Sequence, residues 1–381
     1  MDFRKTEEQE LLLESLRTVF ERGNFEDYFK ECDETHQFPD KAVEALVEAG
    51  FSTLGIPEEF GGTSVDILTQ VMVAEEAHAQ GYPSLCWINY STEVDDILTF
   101  GNEEQREKVL AYALEGRKPF TLGFTEPQAG SDSAAMSTTA TKRDGKVYIN
   151  GHKTFNTSAD RAPFMLCVCR SGVNENPYKD FSMYLFPMDS PGVTIEKLDK
   201  IGNHMCGTYE VYLDDVECEE SDLVGEECKG FYQLMKNFEV ERLTLCAANV
   251  GMARCAYDEA ARYAAQRMQF GKTIGSFQLV QEKIVDMRIK IENMQNMLYK
   301  AAWKKDHGES IMVDSSLVKR YTSRAAFEVI DEALQIMGGI GYTNDCRIAR
   351  LWRDQRVYRI MAGTDEIMVH TAGRALVKEA R

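Results

Sequence analysis

A chain of 381 residues with 62 acidic and 43 basic side chains, net charge −19, is long enough for two or three domains. It has no basic surplus with which to neutralise phosphates, which argues against nucleic acid as a partner. A hydrophobic share of 44% and a charged share of 28% are those of an ordinary globular protein.

The opening MDFRKTEEQE is charged from its second residue and lacks the apolar core of a signal peptide. No apolar run approaches the roughly 18 residues that cross a bilayer. The ten cysteines are scattered without a C-x-x-C pair, and the six histidines are isolated. No metal site is expected, and a reducing cytoplasm is the expected compartment.

Residues 1–117 read as helical. Apolar positions recur with helix period over 8–16 and 42–49, Gly50 follows as a stop, and a 57–62 loop precedes a helix near 65–80. The pattern changes at 118. Asp144-Gly145 between two alternating runs predicts a hairpin, and Asn150-Gly151 predicts a second turn immediately after it. Further strands are expected around 164–169, 182–186, 193–198 and 209–213, with Cys167 and Cys169 as packing residues. From 226 the chain returns to helix, in long periodic stretches near 238–268, 277–306 and 315–337. Met287, Met294, Met297, Leu298 and Trp303 are expected in their core. The expected class is α+β: an all-α domain (1–117), a β-barrel-like domain (118–225) and a C-terminal four-helix bundle (226–381).

Near the start of the second block lies Thr125-Glu126-Pro127-Gln128-Ala129-Gly130-Ser131-Asp132, entered from the apolar run that ends at Phe124. Hydroxyls, a proline and a glycine at a strand end offer free N–H groups to the polar edge of a planar ligand. An ordinary polar turn has the same ingredients. The octet resembles the T-E-P-x-A-G-S-D signature of the acyl-CoA dehydrogenase family of FAD-dependent flavoenzymes. The resemblance extends over essentially the whole chain and implies the same α–β–α order. It places Phe124, Thr125, Gly130 and Ser131 against the flavin, with Ser131 also near the thioester.

Residues 151–158 resemble the family's G-x-K-x-W-I-T-N strand, which gives Phe155 the ring-stacking role and Thr157 the hydrogen bond near flavin N5. Asn156 and Ser158 depart from that pattern. Arg267, Phe270 and Gln278 match R-x-x-F-G…F-Q, where an arginine fork suits the FAD pyrophosphate. Gln335, Gly338 and Gly339 match Q-x-x-G-G, which in the family serves the FAD of a neighbouring subunit and implies at least a dimer, with a homotetramer expected. Thr364 and Glu366 match flavin-contact positions. No βαβ unit with G-x-G-x-x-G is present, which disfavours a nicotinamide site.

The family reaction needs a carboxylate near the substrate Cα. Many members carry it in a Y-E-G-T-x-E loop, but here residues 361–366 read Met-Ala-Gly-Thr-Asp-Glu. Ala362 cannot be a base. Isovaleryl-CoA-type and long-chain-type members instead place an E-R pair early on a long helix, and Glu241-Arg242 matches it. The resemblance therefore implies Glu241 as base or acid, with Arg242, Ala362, Gly363 and Ser131 around the substrate. A first-turn glutamate that stabilises a helix N-terminus is the alternative for Glu241. Within the family, 29–33, 261–264, 296–299 and 352–354 are similar to the crotonobetainyl-CoA reductase branch of carnitine metabolism. Trp87 and Tyr90 are candidates for a trimethylammonium pocket or for simple burial. The expected partners are an acyl-CoA or enoyl-CoA and an electron-transfer flavoprotein. A short, branched or aryl acyl-CoA is the alternative substrate, and a silent flavin- or CoA-binding scaffold is the alternative class.

Overall fold

The computed structural model describes residues 4–380. Six helices come first: α1 (Glu7–Gly23), α2 (Glu26–Thr35), α3 (Asp40–Glu48), α4 (Ile67–Ala79), α5 (Ser91–Phe100) and α6 (Glu103–Ala113). Side-chain caps start three of them. Thr6 and Asn102 form capping boxes with Gln9 and Gln105, and Asp66 accepts the Thr69 N–H.

Eight strands follow: β1 (Thr121–Gly123), β2 (Thr139–Arg143), β3 (Lys146–Thr157), β4 (Phe164–Arg170), β5 (Phe181–Pro187), β6 (Val193–Lys197), β7 (Thr208–Cys218) and β8 (Leu223–Val224). They form one sheet in the order β6-β7-β3-β2-β4-β5-β8, with β1 parallel to β4. Both faces of β4 are covered. Met165, Cys167 and Cys169 pack in one core, whereas Leu166 and Val168 pack with α5, α6 and the start of the next helix. The two cysteines are packing residues, as their alternation predicts.

The last block holds α7 (Gly230–Gln266), a two-stranded ribbon of β9 (Met268–Gln269) and β10 (Lys272–Thr273), α8 (Gln278–Asp306), α9 (Met312–Met337), α10 (Arg347–Gln355) and α11 (Asp365–Glu379). Small residues let α7 lie close to its neighbours: a Cβ at Gly251 would stand 2.3 Å from the Glu75 carbonyl of α4. The two blocks are also joined by buried charge. Glu75 accepts from Arg254, Gln295 and Tyr299, while Glu76 accepts from Arg17 and Arg254.

Asp144-Gly145 is a hairpin turn with φ of 51° and 77°, and it joins β2 to β3 as predicted. The second predicted turn is wrong. Asn150 and Gly151 lie inside β3, where the register against β7 slips between Ile149 and Gly151. Asn150 binds Asp215 with both amide groups, and a Cβ at Gly151 would meet Thr138 Oγ1 at 2.2 Å. The turn signal is spent on a bulge and a close contact. Trp303 also departs from expectation: it is half exposed and stacks on His307, whereas Met287, Met294 and Leu298 are buried.

Candidate active site

The signature octet begins where β1 ends. Glu126 and Ala129 exchange two backbone hydrogen bonds, closing a tight Glu-Pro-Gln-Ala turn. Glu126 is buried, and Lys153 Nζ lies 2.8 Å from it with no exposed side-chain surface. The Ser137 and Thr138 amides also donate to its carboxylate. Burial alone would raise the Glu126 pKa, but the Lys153 charge and these donors hold it at about 2. This carboxylate is a permanent anion that fixes the turn, not a proton carrier. The Thr125 carbonyl accepts the Thr154 amide at 2.9 Å, which ties the octet to β3, while Ser131 is exposed.

At the end of β3 the register against β7 slips again, between Lys153 and Asn156. Phe155 takes φ 59° and projects outward, 65% exposed. Asn156 points inward and donates to the Tyr209 carbonyl, so its departure from the family pattern faces the core. Thr157 is half-buried, and its carbonyl accepts the Thr121 hydroxyl. Phe124 packs edge-on against Phe238 of α7, with centroids 6.0 Å apart. This contact ties the octet to the helix that carries Glu241.

Glu241 is half-buried on α7, facing α5. Burial pushes its carboxyl up to about 7. Glu93 adds to the rise, while Lys118 and Arg242 oppose it. Lys118 Nζ is 2.5 Å from Glu93 and sits over the Tyr90 ring. Arg242 is buried, and its Nε donates to the Ala362 carbonyl at 3.3 Å. That bond joins the 361–364 loop to α7 at the residue that follows Glu241. Ala362 and Gly363 both have left-handed backbones, with φ 52° and 90°. Thr364 caps α11 through the Ile367 amide, and Glu366 is exposed. Asp365 is buried against Arg359 and Ser323, which removes it as a base.

A carboxyl near 7 is balanced between giving and taking a proton at neutral pH. We expect the rate of proton abstraction to rise as pH climbs through about 7, measured as flavin reduction in the oxidative direction. The reductive direction should fall over the same interval.

A cavity of about 310 Å³ opens between α4, α5 and α7. Asp96 and Asn237 line it, and each presents a buried side-chain oxygen without a partner. Burial pushes the Asp96 carboxyl up to about 8; the Asn237 amide opposes this, and the Glu241 and Asp95 charges add to it. Sequence reasoning missed Glu93, Asp96 and Lys118. The apolar spacing of α5 marks its core face, and no local pattern shows that its polar face meets Glu241.

The remaining predicted residues lie elsewhere. Arg267 is exposed beyond the end of α7, 26 positions from Glu241, which is about 39 Å along a straight helix. Phe270 is 92% exposed at the tip of the β9–β10 ribbon, and Gln278 opens α8. Gln335, Gly338 and Gly339 sit at the end of α9. Lys283 pairs with Glu332, so the start of α8 and the end of α9 share one end of the bundle. Of the predicted residues, Phe124 and Ala362 contact the first part of α7, at Phe238 and Arg242, and a second set occupies the far end of the helices.

Three family models cover nearly the whole chain: the acyl-CoA dehydrogenase N-terminal domain over 6–117, middle domain over 121–216 and C-terminal domain over 228–377. The chain belongs to the acyl-CoA dehydrogenase family. A probable acyl-CoA dehydrogenase of Escherichia coli strain K12, YdiO, is 47% identical over 380 residues, covering 100% of this chain and 99% of its own. The structure of butyryl-CoA dehydrogenase from Megasphaera elsdenii superposes with a TM-score of 0.91 at 31% identity, covering 99% of this chain and all of its own. A chain in the structure titled electron transferring flavoprotein of Acidaminococcus fermentans gives 0.90 at 30% identity, over 99% and 100% of the two chains. No helix among the described residues is long and apolar enough to cross a membrane, and no side-chain cluster among them could hold a metal.

Members of the acyl-CoA dehydrogenase family are FAD-dependent. The residues present fit that cofactor. Phe155 offers an uncovered aromatic face. Gly338 closes α9 at φ 65°, which favours glycine, and a Cβ on Gly130 or Gly339 would stand in open space, so the chain itself leaves room for a ligand at both. Phe155→Ala should weaken flavin retention by roughly tenfold, since a stacked aromatic contributes about 0.5–1.5 kcal/mol beyond its buried area. The ratio of flavin to protein absorbance after gel filtration reads this directly.

Proposed function

We propose that this protein is an FAD-dependent acyl-CoA dehydrogenase or enoyl-CoA reductase with Glu241 as its acid–base group, exchanging electrons with an electron-transfer flavoprotein. The observation that carries this reading is a half-buried Glu241 with its carboxyl held near 7, on the helix whose next residue, Arg242, bonds the Ala362 carbonyl. In the oxidative direction Glu241 takes the Cα proton, and in the reductive direction it returns one. FAD, when bound, supplies the acceptor or donor of the Cβ hydride. Phe155, Thr157, Thr125 and Ser131 would hold the cofactor, and amides of the 361–364 loop would receive the thioester carbonyl, where charge develops.

The far-end set, Arg267, Phe270, Gln278, Gln335, Gly338 and Gly339, serves the FAD of a second copy, because one cofactor cannot span about 39 Å of helix. The assembly is then at least a dimer and, by family resemblance, a homotetramer; the scattered cysteines, none of them in a disulfide, suit a reducing cytoplasm. Light scattering of the flavin-loaded protein tests the assembly.

The favoured substrate is crotonobetainyl-CoA, reduced to gamma-butyrobetainyl-CoA. Support for it is the sequence likeness alone, because Lys118 already pairs with Glu93 and covers the Tyr90 ring, and Asp96, pushed up to about 8, is uncharged at neutral pH. The same chemistry on a short acyl-CoA is the second reading, favoured by the likeness to butyryl-CoA dehydrogenase. Anaerobic mixing with a thioester panel, following the flavin band, separates them. Reduced protein should be reoxidised fastest by crotonobetainyl-CoA. A faster response to crotonyl-CoA would favour the second reading, and no response to any thioester would leave only a cofactor-binding scaffold.

A further inference from the structure

Lys319, early on α9, is one of the largest fully buried side chains, at 1% exposure. Its Nζ donates to the Gly363 carbonyl at 2.5 Å. The neighbouring carbonyl, that of Ala362, receives Arg242. Two cations thus hold consecutive carbonyls of a four-residue loop from behind. A trans peptide is planar, so a carbonyl held on one side sends the N–H of the same peptide to the other. The Gly363 and Thr364 amides are therefore turned away from Arg242 and Lys319. Among the described residues, the Ala362, Gly363 and Thr364 amides find no backbone acceptor.

Packing alone does not explain a lysine at this position. A buried ammonium without a carboxylate at contact is costly, and a Met or Leu would fill the space without that penalty. The charged and titratable groups facing Lys319 are Cys246 and Arg242 on α7 and Asp365 and Glu366 on α11. Asp365 is already taken by Arg359 and Ser323.

We propose that Lys319 is a positioning residue for thioester recognition: it pins the Gly363 carbonyl so that the loop's free amides face the acyl carbonyl beside Glu241. The proposal rests on the reading that this loop receives the thioester. A charge on a carbonyl also polarises the chain of peptides behind it, which strengthens their N–H groups as donors. Burial lowers the Lys319 pKa to about 8, with Cys246 and Asp365 opposing and Arg242 adding to the fall, so this polarising charge is lost just above neutral pH.

The test is the pH profile of kcat/KM for flavin reduction by one reactive acyl-CoA, in wild type, Lys319→Gln and Lys319→Arg, with flavin content and melting temperature recorded. Wild type should lose activity above about pH 8. Lys319→Gln should be at least tenfold slower at pH 7, mainly through KM, and should show no further loss above pH 8. Lys319→Arg should stay within severalfold of wild type and push the alkaline loss beyond pH 9. An unmoved alkaline limb in either variant, or a Gln variant within twofold of wild type at pH 7, overturns the proposal. If Gln fails to fold, the Arg variant decides alone. A wild type that no thioester can reduce would refute the functional reading itself, and this proposal with it.

Discussion

Glu241→Gln should bind flavin normally and lose turnover by roughly 10²-fold or more, the range for removing a general acid–base group. Glutamine keeps the shape of the side chain and removes only the proton site. The flavin contacts proposed for the octet and β3 come from other elements, so the flavin spectrum and melting temperature should barely change. The melting point could rise slightly. The Glu241 carboxyl titrates at about 7 rather than near 4.5, so ionising it in the folded state is unfavourable at neutral pH. A group with a raised carboxyl pKa contributes less stability as pH climbs from 4.5 through 7, and the amide escapes that loss. Rapid mixing with a reactive acyl-CoA reads the chemical step. Reduction within a few-fold of wild type would remove Glu241 from the mechanism, and Asp96 would then be the next carboxyl to test.

Lys153→Met should be the most damaging single change outside the catalytic step. It leaves Glu126 buried and ionised with no counter-charge, a situation that costs about 3–5 kcal/mol when one partner of a buried pair is removed. The depressed Glu126 pKa gives a similar figure. A fall from 4.5 to about 2 corresponds to roughly 3 kcal/mol at 1.36 kcal/mol per unit. Because this carboxyl is depressed, its contribution is fully present above pH 4.5 and lost as pH falls through about 2. Lys153→Met should therefore be destabilised at neutral pH and lose less than wild type on acidification. Denaturant titration at pH 7 and pH 3 would show both effects. Adding Glu126→Gln to Lys153→Met should restore part of the loss, because the stranded charge is gone. If the single and double variants were equally unstable, charge would not be the cause. Flavin retention should fall with stability, since Glu126 holds the turn that presents Thr125.

The layered order of the fold was legible because hydrophobic period changes twice, at about 118 and 226. α8 and α9 begin within about three residues of where periodicity places them. Asn150-Gly151 misled because a turn dipeptide and a bulge use the same permissive backbone, and only the partner strand β7 distinguishes them. The candidate site was legible in part. Glu241 was singled out by combining a helix-borne E-R with an alanine at 362, and the structure joins the next residue, Arg242, to the Ala362 carbonyl. The residues that set its protonation were not legible. Glu93 lies 148 positions before Glu241, and Lys319 is 44 positions from the carbonyl it holds. Long-range electrostatic neighbours leave no periodic trace. Lys153 was read as part of a motif, but its buried partner emerges only when β1 and β3 are laid against each other.

The length of α7 has a mechanical consequence. Glu241 and Arg267 are fixed to one rigid rod, and their relative phase is set by the 26 residues between them. A single residue inserted in that span would rotate the far end by about 100° and advance it by about 1.5 Å. Arg267 and the ribbon that follows would swing to a different side of the bundle while the surroundings of Glu241 kept their form. The helix acts as a gauge between two distant surfaces, and insertions or deletions within it carry a penalty that substitutions at the same positions do not.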